Sequence, residues 1–177
     1  MQSFYKECRN LTKGSVIMKK DIDKKTLESG RVLLYLKHEF LSNRSKETLF
    51  PLLSCLRDSN VIVPMNVTMS DFDIEKFLNS KQGDVVTTSD EIRCKPDILK
   101  NGDNFFFPMF SNEEQIPEEY GNNFSKVVLP VLRCINMAKS YEHVCGIVID
   151  AFTEPLLLEY EIADLIFEFE SRLKSED

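Results

Sequence analysis

The side chains through which this chain could do chemistry are two histidines, five cysteines and 29 carboxylates. Metal sites need His or Cys at close, regular spacing so that a turn or one helix face can converge them on the ion. His38 and His143 are far apart, and neither has a second His or Cys at ligand spacing. His143 stands near Cys145, a juxtaposition that reads as loop chemistry rather than a ligand pair, so no metal is expected. The cysteines (Cys8, Cys55, Cys94, Cys134 and Cys145) form no CxxC pair and are odd in number. Three lie in apolar runs, where a free Cys behaves as a small hydrophobe. Reduced thiols in a cytoplasmic protein are the expectation.

Phosphate-cradling loops are also missing. None of the six glycines lies within two residues of another, and there is no G-x-S-x-G elbow. A nucleophile, base and oxyanion donor cannot be assembled from these residues, so no catalytic residue and no cofactor is expected. Paired carboxylates abound, at Glu113-Glu114 and Glu118-Glu119, but beside a Ser or Pro they read as capping and surface groups. Asp150 differs, because it ends an apolar strand and a carboxylate there can line a crevice. The competing reading is an Asp held by backbone N–H groups of its own turn. Phe152 in the turn AFTEP either folds back to close the core or stands out as an anchor for a partner. Asp150, Phe152 and Glu154 together form the candidate binding surface.

The elements that must position these residues can be read from periodicity. The 177 residues, 42% hydrophobic and 29% charged, suit one globular domain. The net charge of −7 argues against nucleic acid. It is unevenly spread: residues 1–60 hold twelve Lys and Arg against seven Asp and Glu, a balance of +5, and the rest carries −12. No run approaches the roughly 18 apolar residues of a membrane span, so no membrane role is expected. Residues 1–25 read as a basic N-terminal arm, mobile or loosely docked, and residues 26–177 as a single domain.

From Thr26, Leu27, Leu33, Leu34, Leu36 and Phe40 predict a helix weakened early by Gly30. Ser45 predicts the N-cap of a second, whose Leu49, Leu52, Leu53 and Leu56 keep the i, i+3, i+4, i+7 rule. Pro51 predicts a later start or a kink. The pair reads as an N-terminal helical hairpin. Val61–Met69 alternates as a strand, and Pro64 predicts an edge position. A short helix is expected over 71–80 and a loop over 81–90. Asn101-Gly102 predicts a type I′ hairpin between 93–100 and 103–110. Ser111 with Glu114 predicts a capping box. A strand at 125–129, a helix opened by Pro130, a buried strand at 145–149, a turn at 150–155 and a strand at 156–158 follow. Ile162, Leu165, Ile166, Phe169 and Leu173 predict a final amphipathic helix. The fold class is α+β, a mixed sheet flanked by helices.

Two pieces, FFFPMFSNEEQIPEEYG (105–121) and GIVIDAFTEPLLL (146–158), resemble the SseB-type N-terminal domain, a bacterial family named for enhanced serine sensitivity. The first matches as Phe107-Pro108-Met109-Phe110-Ser111 followed by Glu113 and Glu114, the second as Gly146-Ile147-Val148-Ile149-Asp150-Ala151-Phe152. Asp150-Ala151 stands where the family usually has Asn-Pro. The resemblance spans roughly residues 26–173. It implies an α+β domain of a bacterial cytoplasmic protein with no established catalytic residues. The expected function is non-catalytic binding of a protein or peptide, self-association being left open. The alternative is a domain sensing an amino acid or related metabolite, and a metabolic enzyme ranks last.

Overall fold

The computed structural model describes residues 24–81, 85–89 and 92–173. Of the expected basic arm, therefore, only Lys24 and Lys25 are described, and residues 1–23 lie outside the described residues. Those two lysines open α1 (Lys24–Glu28), which is followed by α2 (Arg31–Ser42) and α3 (Lys46–Asp58). Gly30 divides α1 from α2 with φ of 67°, a left-handed conformation that glycine adopts without a Cβ penalty. What the sequence suggests as one helix is therefore two. α2 and α3 pack as the expected helical hairpin. The α3 leucines Leu49, Leu52, Leu53 and Leu56 are all buried. Ser45 donates its backbone N–H to Thr48 Oγ1 at 3.3 Å. α3 runs through Pro51 without ending, so burial of that leucine face outweighs the backbone bond that proline removes.

β1 (Asn60–Thr68) leads through α4 (Asp71–Asn79) to β2 (Arg93–Pro96), β3 (Leu99–Asn101) and β4 (Asn104–Met109). A 3₁₀ turn at Glu113–Gln115 and α5 (Glu118–Gly121) follow, then β5 (Ser125–Pro130), α6 (Val131–Lys139), β6 (Val144–Ile149), β7 (Leu156–Leu158) and α7 (Tyr160–Leu165). The α+β class is as expected, but the strands form two sheets. One is antiparallel in the order β2-β1-β5, the other mixed in the order β3-β4-β6-β7. They meet where Ile62 and Phe110 exchange backbone bonds of 2.8 and 2.9 Å.

Pro64 is not on an edge, since β1 is the central strand of its sheet. Pairing with β2 begins one residue later at Met65↔Pro96. On that same side Ile62 bonds Phe110, and the Pro64 carbonyl accepts from the Asp97 N–H at 2.9 Å. The missing proline N–H thus falls in the gap between β2 and the end of β4, where no ladder bond is lost. The hairpin turn is also shifted by one residue. Asn101 pairs with Asn104, and Gly102, with φ of 60°, takes the first central position. Asp103 has no positive φ, so the glycine placement is that of a type II′ turn. Only Leu99–Asn101 forms the first arm, because Arg93–Pro96 pairs with β1 instead.

One hydrophobic cluster runs from Leu27 through α2, α3, β1, β4, α6 and β6 to Ile166. The final helix stops at Leu165, continues as a 3₁₀ turn to Glu168, and Phe169 and Leu173 reach the core beyond it. α4 buries only Asp73 and leaves Phe72, Ile74, Phe77 and Leu78 exposed.

Candidate functional site

β4 and β6 are parallel neighbours, so their C-terminal ends, at Phe110-Ser111 and Asp150, open on the same edge of the sheet. In open α/β sheets such strand ends are where ligands bind. Here the space is filled by the chain itself. Lys37 Nζ donates to Asp150 Oδ2 at 2.6 Å and to the Glu154 carbonyl at 2.7 Å. Asp150 Oδ1 accepts from the Ser111 N–H at 2.8 Å, and the Ser111 hydroxyl lies 3.0 and 2.9 Å from the two carboxylate oxygens. Lys37 and Asp150 have no solvent exposure, and Ser111 retains 4%.

Each member is there for a local reason. Asp150 has φ of 54°, in the left-handed region that Asp and Asn enter more readily than other side-chain-bearing residues. Its carbonyl accepts from Thr153 at 3.2 Å, which closes the turn. A carboxylate rather than an amide also supplies the counter-charge that a buried ammonium needs. Gly30 lets α2 approach: a Cβ there would sit 2.1 Å from the Ser111 carbonyl oxygen. Two turns along the same helix, Lys37 then reaches Asp150.

Asp150 is thus beneath the surface, not on it. The N–H that holds its carboxylate comes from Ser111, across the strand ends, and not from its own turn. The capping box at Ser111 does not form, because its hydroxyl is engaged by Asp150 and Asn112 stands at the N-cap of a 3₁₀ turn. Chemically the trio is a poor nucleophile site. The serine hydroxyl is directed at a carboxylate, the lysine at the same carboxylate and a carbonyl, and no substrate has access to them. Its work is to tie α2, β4 and the 150–155 turn together.

Phe152 combines both readings of it. It stacks on Phe110 at 5.9 Å between ring centroids with planes 8° apart, and lies against Tyr120 at 4.8 Å. It nevertheless keeps 44% of its surface exposed. Tyr120 donates its hydroxyl to Asp97 Oδ2 at 2.7 Å. Burial, then the Asp97 bond and charge, push the Tyr120 hydroxyl pKa well above its usual value. Thr153 donates to Gln115 Oε1 at 2.5 Å, which joins the turn to the 3₁₀ segment. Glu154, whose carbonyl holds Lys37, faces outward and pairs with His38 Nδ1 at 2.9 Å.

Lys37 is the member of the trio to which neither the strand-end pattern nor the turn points. Its signal was present: it stands on the Leu33, Lys37, Phe40 stripe at i, i+4, i+7, the one charge on the buried face of α2. Among the described residues no group of three or more His, Cys, Asp and Glu side chains could hold a metal, and no helix is long and apolar enough to cross a membrane. The four described cysteines are free. No family model, no curated protein and no solved structure matches the chain.

Proposed function

We propose that this chain is a non-catalytic interaction module that docks a protein or peptide, with Phe152 as its anchor. The observation that carries this reading is an aromatic ring stacked on Phe110 and packed at a tilt against Tyr120, yet 44% exposed. A ring held this way loses little side-chain entropy on binding, the property that makes rigid aromatics effective anchors. The Lys37–Asp150 pair beneath it fixes the turn that carries it.

The alternative, a domain sensing an amino acid or metabolite, drew on a strand-end crevice near Asp150, and the space there is taken by Lys37 and Ser111. We read the bacterial, cytoplasmic setting from the SseB-type resemblance and from the unpaired cysteines. The test is affinity capture with crosslinking from a lysate of the native host, with wild-type chain and Phe152→Ala side by side. The expected result is a specific partner retained by wild type and lost by the variant. Recovery of no specific partner, or of the same partners by both, would defeat the proposal.

A further inference from the structure

We infer that the segment docking at Phe152 is basic and carries one large apolar side chain. This rests on the reading of Phe152 as an anchor and adds the chemistry of what it recognises. The ring is bracketed by three acidic pieces of chain. Tyr120, 4.8 Å away, belongs to α5, whose first two residues are Glu118 and Glu119. Gln115, bonded to Thr153, ends the 3₁₀ turn that begins Glu113-Glu114. Glu154 follows two residues after Phe152 in the same turn.

These carboxylates are open to water. Glu113 and Glu154 keep 71% and 41% of their side chains exposed, and Glu114, Glu118 and Glu119 are exposed residues. Of the basic side chains beside this rim, Lys126 lies 3.5 Å from Glu113 and Lys37 is buried against Asp150, while the His38 ring hydrogen-bonds Glu154. Among the described residues Glu114, Glu118 and Glu119 have no ion pair. The rim is therefore net negative around an apolar centre. A partner with Lys or Arg on either side of an aromatic or large aliphatic residue meets both features. An acidic partner would pay like-charge repulsion at every rim position.

Selection of random 12-residue peptides displayed on phage against the immobilised full chain tests this directly. The expected winners place Lys or Arg within a few residues of one aromatic or large aliphatic side chain. As synthetic peptides, they should weaken about tenfold between 50 and 500 mM NaCl, because rim charges are screened at that ionic strength. They should also weaken about tenfold on the double change Glu118→Lys with Glu119→Lys, and bind undetectably to Phe152→Ala. Neutral or acidic winners that still need Phe152, or binding that moves less than twofold with salt and charge reversal, would overturn the basic partner while leaving the anchor standing. No selected peptide, or binding indifferent to Phe152→Ala, would overturn both.

Discussion

Lys37→Met is the sharpest probe of how the site is held. It removes the ammonium and keeps an apolar stem of similar length on the Leu33–Lys37–Phe40 face. Asp150 then keeps the Ser111 N–H and hydroxyl but loses the 2.6 Å contact to Lys37. Taking one partner from a fully buried ion pair costs about 3–5 kcal/mol, because the remaining charge is desolvated without compensation. Chains of this size lose about 2–4 °C of Tm per kcal/mol, so the midpoint should fall by about 6–20 °C. That is a large share of a total stability of about 5–15 kcal/mol. Asp150→Asn alone should cost a similar amount by stranding the ammonium. Joining it to Lys37→Met removes both charges while keeping an amide that tolerates the φ of 54° and accepts the Ser111 N–H. The double variant should lie within about 1 kcal/mol of wild type, since replacing a buried pair by neutral groups of similar shape is often near neutral. Urea unfolding at pH 7, followed by far-UV circular dichroism, yields all four corners of the cycle. A Lys37→Met loss below about 1 kcal/mol, or a double variant as weak as the two losses added, would refute the clamp.

Gly30→Ala should destabilise by about 2 kcal/mol or more, since it strains a φ of 67° and drives a Cβ to 2.1 Å from the Ser111 oxygen; thermal melts check this, and a neutral result would mean that α2 can shift without disturbing Lys37. Phe152→Ala should cost only about 1–2 kcal/mol in the same melts, the worth of a half-exposed stacked ring, so its effect on binding can be separated from folding. Burial first of all pushes the Cys134 thiol up to about 12, from an ordinary value of 9.0. The folded state thus keeps a proton that the unfolded chain releases, and stability should fall as pH rises from about 9 towards about 12. Cys134→Ala should flatten that alkaline slope by up to about 1.4 kcal/mol per pH unit in urea titrations, and an unchanged slope would contradict the assignment. Ellman's reagent should modify exposed Cys94 and Cys145 in the native chain well before buried Cys55 and Cys134; mass mapping of the labelled positions distinguishes them.

Periodicity and caps made much of this fold readable, and the exceptions share a cause. The α3 leucines, the strand at β6 and the hairpin around Gly102 are each encoded within a few consecutive residues, whereas β1, whose alternation predicts one apolar face, buries both faces over 61–65 as the central strand of its sheet. The shifts arise where a distant segment decides. Pro64 sits in a central strand because β2 stops one residue short of it and Phe110 covers the next position on that side. Ser111 gives up a capping role because its N–H and its hydroxyl are both turned to donate to the Asp150 carboxylate, 39 residues away. Lys37 reaches across 113 residues to the same carboxylate, and no local window contains both. What a window does contain is the anomaly: a lysine on a leucine stripe, and an aspartate at the end of an apolar strand. Each is costly alone, and each becomes reasonable once the other is supplied. Two such misfits in one chain of α+β pattern are therefore grounds for expecting that they are partners. On that logic the turn at 150–155 owes its fixed shape to Lys37. Phe152 can stay half in water because the Lys37–Asp150 pair beneath the turn, together with Phe110 and Tyr120 against its ring, leaves it nowhere to fold.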